Sequence, residues 1–219
     1  MAKIDELNIL GVEETARNIV NRKIIPIREY YEPMDITDEQ KERRIKAAER
    51  LEDAFVIALL LLSEFDETPS EMVLTQVMTQ LQSDLLQAYE SITTRVDDED
   101  VLAHVSRVSQ EIVESTARHF TDPYFTSEDR ATVLAENDAN YIVSYDEYED
   151  AEADGCTMKR WKTMLDKKVR DSHRDVEGEE VPIGTPFFVG DSLLMFPGDT
   201  QFDPDPAEIV NCRCSVEYF

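Results

Sequence analysis

The residues best suited to chemistry lie in the last third of the chain. Three cysteines and one histidine are the ligand set of a Cys3His zinc site, and this stretch supplies Cys156, His173, Cys212 and Cys214. Cys212 and Cys214 form a C-x-C pair, which on a β-strand projects both sulfurs to one face. Cys156 and His173 are remote in sequence, however. The same residues could be small buried hydrophobic side chains with a hydrogen-bonded histidine, or Cys212 or Cys214 could enter a disulfide.

A nucleophilic site is a further possibility for these residues. His173 could activate Cys212 or Cys214, with Asn211 orienting the catalytic pair. The G-x-x-x-x-G-K-[ST], G-x-G-x-x-G, H-E-x-x-H and G-x-S-x-G motifs do not occur in the sequence. Among 48 acidic residues, no carboxylate pair stands out. We therefore expect a protein without enzymatic activity. The alternative is a hydrolase or transferase that uses His173 with Cys212 or Cys214.

The chemistry-bearing residues must be positioned by a small, turn-rich unit. Gly155 is well placed to end a helix, and glycine and proline become frequent after it, which is typical of short β-strands. The apolar runs 187–189 and 193–196, separated by Gly190-Asp191, predict a β-hairpin. Alternation over residues 212–218 predicts a terminal strand with both cysteines on one face.

Upstream, capping residues and apolar periodicity predict four helices. They cover residues 37–65, 71–92, a stretch from the acidic run 97–100 to just before Asp122-Pro123, and 127–152. His104 and His119 lie on the third helix and are interpreted as surface or cap residues. The predicted fold class is α+β. A mainly α-helical acidic domain over 37–153 follows an N-terminal arm, 1–36, that is partly helical over 13–23, and a small α+β module over 154–219 ends the chain.

The net charge restricts the possible partners. Lys and Arg total 22 and Asp and Glu 48, which gives a net charge of −26. Residues 51–155 hold 4 basic and 25 acidic residues and so carry most of it. A surface this acidic excludes general nucleic-acid binding, which depends on Lys and Arg, although it could imitate DNA toward a basic protein. The longest apolar run, 54–62, is too short for a membrane span, and the odd cysteine count argues against a secreted disulfide framework. We therefore expect a reducing cytoplasm, or a particle assembled there.

A series of motifs in the C-terminal third is similar to a known family. In order they are Trp161, Asp166, Val169-Arg-Asp-Ser-His-Arg174, Gly178, Val181-Pro182, Phe187, Pro197-Gly-Asp199 and Asn211-Cys-Arg-Cys-Ser215. This combination resembles the phage head morphogenesis family, the minor head proteins typified by the F protein of phage Mu. The resemblance covers about residues 130–219.

The resemblance implies a structural role in a bacteriophage head. Such a protein would lie inside the procapsid near the portal vertex, bind the portal protein, and serve head assembly, genome packaging or ejection. The scaffold or major capsid protein and a second copy of the chain are further possible partners. No membrane partner is expected. The predicted partner contacts are the Pro-containing arm and the apolar stretch 54–62, the latter through Phe55, Ile57, Leu59 and Leu61.

Within the motifs, the residues are expected to act mainly as architecture. Trp161 should be the hydrophobic anchor of the module. Arg170 and Arg174 could pair with Asp166, Asp171 or Asp199, while Asn211 should cap a turn through its side chain. The other motif residues with an expected structural role are Gly178, Pro197 and Arg213.

Overall fold

The chain forms two compact units in the computed structural model, which describes residues 25–219. The helical unit comprises Glu42–Val143, and the C-terminal unit comprises Ser144–Phe219 together with the described residues up to Lys41. The α+β fold class predicted from the sequence is confirmed. The helix predicted over 13–23 lies outside the described residues. The domain boundaries at 36/37 and 153/154 remain predictions.

Seven α-helices, one 3₁₀ turn and five short strands make up the described part of the chain. In chain order they are α1 (Ile27–Tyr31), α2 (Asp38–Ser63), α3 (Glu71–Glu90), α4 (Glu99–Arg118), the 3₁₀ turn Pro123–Thr126, α5 (Glu128–Ala153), β1 (Met158–Lys162), α6 (Asp171–Asp175), β2 (Glu180–Pro182), β3 (Phe187–Val189), β4 (Ser192–Leu194), α7 (Pro206–Ile209) and β5 (Ser215–Tyr218). None of the described helices combines the length and apolarity needed to cross a bilayer.

The long helices begin and end where their capping residues predict. Thr37 and Gln40 form a reciprocal capping box at the start of α2. The backbone N–H of Gln40 donates to Thr37 Oγ1 over 3.2 Å, and the backbone N–H of Thr37 donates to Gln40 Oε1 over 3.0 Å. Ser127 Oγ accepts from the Arg130 N–H at the start of α5. Gly155, at a φ of +82°, follows the end of that helix. Ser70 precedes α3, but its side chain makes no capping hydrogen bond.

The core of the helical unit follows the predicted apolar periodicity on α3 and α4, which pack against each other. On α3, Leu81, Leu85 and Tyr89 are completely buried. On α4, Val101, Val105, Ile112 and Val113 are buried as well. A spacing of three or four residues places these side chains on one face of each helix, so burial of that face accounts for the pairing.

The interpretation of His104 as a surface residue is wrong. Its ring is buried, lies parallel to the ring of Tyr141 at 3.4 Å between centroids, and places Nε2 2.7 Å from Asp138 Oδ1. Asp138 belongs to a stretch of α5 that is buried around nearly its whole circumference. The helix thus buries polar side chains as well as apolar ones, and a buried carboxylate requires a partner such as His104.

The C-terminal unit is organised around β1. This strand is the middle one of a three-stranded antiparallel sheet with the order β2-β1-β5, in which Lys159 lies opposite Val181 and Trp161 opposite Val216. The predicted hairpin is present as β3 and β4, joined at Gly190-Asp191. The predicted terminal strand is shorter than expected, because β5 begins at Ser215 and both cysteines precede it.

Described residues of the predicted arm pack in this same unit. The Tyr30 hydroxyl donates to the Cys212 carbonyl over 3.4 Å, and Lys162 Nζ lies 3.2 Å from Asp35 Oδ2. Tyr31 is completely buried. The chain segment before α2 therefore contributes to the C-terminal unit despite its distance in sequence.

A buried arginine closes one end of the helical unit. Arg130 donates to Thr116 Oγ1 over 2.6 Å, to Ser115 Oγ over 2.7 Å and to the Phe125 carbonyl over 2.6 Å. Burial lowers the pKa of its guanidinium to about 10, which leaves it charged at neutral pH. The side chain thus connects the end of α4, the 3₁₀ turn and the start of α5.

We expect Arg130→Met to lower the free energy of unfolding by about 3 kcal/mol, because buried acceptors lose their charged donor. Arg118→Met at the end of α4 is the matched control, since Arg118 is exposed, and it should change stability by less than about 0.5 kcal/mol. Urea unfolding followed by far-ultraviolet circular dichroism measures both. Equal midpoints for the two variants would contradict the role assigned to Arg130.

Candidate functional site

Trp161 lies at the centre of the C-terminal unit. Its side chain is completely buried, and its ring packs edge-on against Phe187 on β3, with 5.2 Å between centroids, and against His173 on α6, with 5.7 Å. Because β1 carries this side chain into the core, the short helix α6 is fixed against the sheet. Trp161, which the sequence predicts to be a hydrophobic anchor, thus lies in the core of this unit.

His173 and two cysteines form a buried cluster beside Trp161. The Nδ1 atom of His173 lies 3.3 Å from Cys214 Sγ and 3.6 Å from Cys212 Sγ. The three side chains are 1%, 4% and 7% exposed for His173, Cys212 and Cys214, and their potential ligand atoms all lie within 4.8 Å of one another. Two sulfurs and one ring nitrogen therefore face a common point.

The opposite edge of the His173 ring faces a carboxylate. Nε2 lies 3.0 Å from Glu208 Oε2, although without the alignment of a hydrogen bond, and the Ser172 hydroxyl donates to the same oxygen over 2.7 Å. Arg170, predicted to pair with an aspartate, instead donates to the Val210 carbonyl next to the cysteine segment. Glu208 was not among the residues predicted from the sequence, because nothing in the spacing of α7 relates it to α6.

The pKa values of His173, Cys212 and Cys214 depend on one another. A hydrogen bond from Cys214 lowers the pKa of Cys212 strongly against the opposing effect of burial, and the charge of His173 lowers it further. Donating that hydrogen bond raises the pKa of Cys214, and burial adds to the rise. Burial is the largest influence on the pKa of His173 and acts to lower it, but the charge and hydrogen bond of Cys212, together with the charge of Glu208, outweigh burial, so the pKa is raised. Cys212 is thus the sulfur that most readily loses its proton.

Three of the four predicted metal ligands are brought together, and Cys156 is not among them. Cys156 follows the end of α5, where its N–H donates to the Ala151 carbonyl, and its side chain is half-buried. Asn211 has a φ of +55°, the left-handed conformation that asparagine tolerates, directly before Cys212. None of the three cysteines forms a disulfide in the described structure.

The chain matches a family model described as Phage Mu protein F like protein over residues 87–217, which include most of the C-terminal unit and the later part of the helical unit. The chain belongs to this family. No curated protein and no solved structure matches it. Membership identifies a phage head morphogenesis protein of the minor head class, which places it in the bacteriophage head.

In this Mu F-like protein, the remaining motif residues hold loops around the cluster. Arg213 forms an ion pair with Asp166 at 2.7 Å, whereas the predicted partners of this carboxylate were Arg170 and Arg174. Arg174 pairs with Asp171 at 2.9 Å, one of the predicted combinations. Asp199 is buried and accepts the N–H groups of Met195 and Gln201, over 2.7 and 2.8 Å.

Two further motif residues of the C-terminal unit, Gly178 and Pro197, act through the conformation of their backbone. Gly178 has a φ of +74° and donates its N–H to the Trp161 carbonyl over 2.9 Å, so a side chain there would be strained. Pro197 is buried in the turn that leads to Asp199. These residues shape the loops around β1 without presenting reactive groups.

The predicted partner-contact residues lie on α2 in the helical unit, where they divide between two faces. Phe55 and Leu59 are buried in the core of that unit, with 0% and 1% exposure. Ile57 and Leu61 are 48% and 44% exposed. Only the second pair is accessible to another protein.

The geometry predicts unequal thiol reactivity. In the native protein with chelator present, Cys156 should react with a chromogenic disulfide reagent at least about tenfold faster than Cys212 and Cys214, because access to a buried sulfur limits its reaction. Stopped-flow absorbance measures the phases. Cys156→Ser should lose the fast phase, and all three thiols of the wild type should react rapidly in denaturant. A fast phase that persists in Cys156→Ser would show that the cluster is more accessible than its burial indicates.

Proposed function

We propose that this Mu F-like protein is a structural component at the portal vertex inside the procapsid, bound to the portal protein through an exposed apolar surface of the helical unit. The observation that carries the proposal is the family match over residues 87–217. The surface, called here the α2 stripe, consists of Ile57, Leu60, Leu61 and Phe65.

The α2 stripe is unusual for a solvent-exposed helix face. Its four side chains are 40–49% exposed, and positions 57, 60 and 61 are neighbours on one face of α2 because they are three and four residues apart. Phe65 follows two residues after the helix ends. Adjacent large apolar groups on an otherwise acidic protein are typical of a protein–protein contact.

The position of the stripe in the sequence supports a contact with the phage's own portal protein. Helix α2 precedes residue 87, where the match to the family begins. The matched part contains most of the C-terminal unit, whereas the stripe lies outside the matched part. A phage-specific contact is what recognition of a particular portal protein requires, and the scaffold or major capsid protein would use other surfaces.

The proposed role is not enzymatic. The cysteine and histidine arrangement resembles that of a thiol nucleophile, but both sulfurs are more than nine-tenths buried in the described structure. A nucleophile must meet its substrate, so burial of this kind argues for a structural use of the cluster. The hydrolase or transferase alternative would require the surrounding loops to open.

Co-expression with the portal protein encoded by the same phage, followed by gel filtration, tests the contact. The wild-type protein should comigrate with the portal. Ile57→Ser with Leu61→Ser should weaken binding at least about tenfold, because each side chain has about half of its surface left to bury.

Matched controls separate the stripe from general surface apolarity. Leu102→Ser and Met72→Ser change side chains of the same unit that are 43% and 68% exposed, and both variants should still bind the portal. All variants should keep the wild-type circular dichroism spectrum. Unchanged comigration of the double variant would refute the stripe as the contact, and a wild-type protein that never comigrates would refute the portal as its partner.

A further inference from the structure

We propose that His173, Cys212 and Cys214 bind a zinc ion, with Glu208 orienting the histidine. The inference does not depend on the portal contact, since it concerns the C-terminal unit alone. It rests on the distances, burial and chemistry of four side chains from α6, α7 and the segment before β5.

The distances fit a tetrahedral ion. Zinc–sulfur bonds of about 2.3 Å and zinc–nitrogen bonds of about 2.0–2.1 Å, at tetrahedral angles, place a sulfur and a nitrogen about 3.5 Å apart. The observed separations from His173 Nδ1 are 3.3 Å to Cys214 Sγ and 3.6 Å to Cys212 Sγ. Both nitrogen–sulfur separations therefore already match those of a zinc site, and all three ligand atoms lie within 4.8 Å of one another.

The second edge of the His173 ring has the environment of a zinc-bound histidine. Such a ligand characteristically directs its other ring nitrogen to a carboxylate, which fixes the tautomer and aims the lone pair at the metal. Glu208 Oε2 lies 3.0 Å from Nε2 and is itself held by the Ser172 hydroxyl. With the proton on Nε2, the Nδ1 lone pair points toward the sulfurs.

A buried donor beside the sulfurs is a second observation that favours a thiolate acceptor there. Trp161 is completely buried, and its indole N–H interacts with Cys214 without the alignment of a hydrogen bond. Its ring packs against His173 at the edge of the cluster. Metal-bound thiolates are strong acceptors and are commonly stabilised by neighbouring N–H groups.

Soft thiolates with one imidazole favour zinc over magnesium or calcium, which prefer oxygen ligands. The three protein ligands leave one position for a water molecule or another external ligand. Binding would join α6 to the segment before β5, across about 40 residues of chain. A small unit gains stability from such a link because the ion binds only the folded arrangement.

Metal analysis of the full-length protein, purified without chelators, is the first test. It should give about one equivalent of zinc per chain, and cobalt added to the chelator-treated protein should produce thiolate-to-cobalt charge-transfer absorption with tetrahedral d–d bands. Zinc should also raise the melting temperature of the chelator-treated protein. Less than about a tenth of an equivalent, with no charge-transfer band, would overturn the proposal.

Variants identify the ligands. Cys212→Ser and Cys214→Ser should each lose the metal, whereas Cys156→Ser, the matched control outside the cluster, should retain it. Glu208→Gln should weaken zinc binding by about 10- to 100-fold, the usual effect of removing an orienting carboxylate. Loss of metal from Cys156→Ser with retention in Cys214→Ser would overturn the assignment. Since the cobalt titration uses the wild-type chain, a variant that fails to fold leaves that test intact.

Discussion

Burial of Trp161 is the constraint on which the C-terminal unit depends. The residue sits on β1, the strand that pairs with both β2 and β5, so its position fixes the sheet. Its ring meets Phe187 of the hairpin and His173 of α6, and its carbonyl accepts the N–H of Gly178. Strands of three to five residues contribute few ladder hydrogen bonds of their own. A single large apolar group shared by several short elements compensates for that weakness.

The cluster beside Trp161 follows from the same arrangement. Once α6 packs on the tryptophan, His173 faces the segment that enters β5, and Cys212 and Cys214 are the residues it meets. The charged side chains around the cluster come from three short segments: Glu208 from α7, Arg170 from the residue before α6 and Arg213 from between the cysteines. The motifs of the family are therefore better understood as one interlocked set than as separate sites.

Local signals in the sequence predicted the helices well, because caps and apolar spacing act over a few residues. The capping box at Thr37 and the glycine at 155 are examples. Spacing could not relate Cys156 to the cluster or exclude it, nor could it pair Asp166 with Arg213, 47 residues later. It also failed for His104, since the carboxylate that accounts for its burial lies 34 residues away on another helix. Such contacts depend on how the elements pack, which propensity does not encode.

The charge distribution has a physical meaning once the units are known. Glu42–Val143 holds 8 basic and 21 acidic residues, a net charge of −13, while its α2 stripe is apolar. In the proposed location such a unit would lie close to packaged DNA, and like charges within about 10 Å repel appreciably at physiological salt. Repulsion would keep the acidic surface from adhering to the genome, whereas burial of the uncharged stripe against another protein would meet no such repulsion. In that location the acidic surface and the apolar stripe would act in the same direction, because both would favour attachment to the proteins of the head over attachment to its DNA.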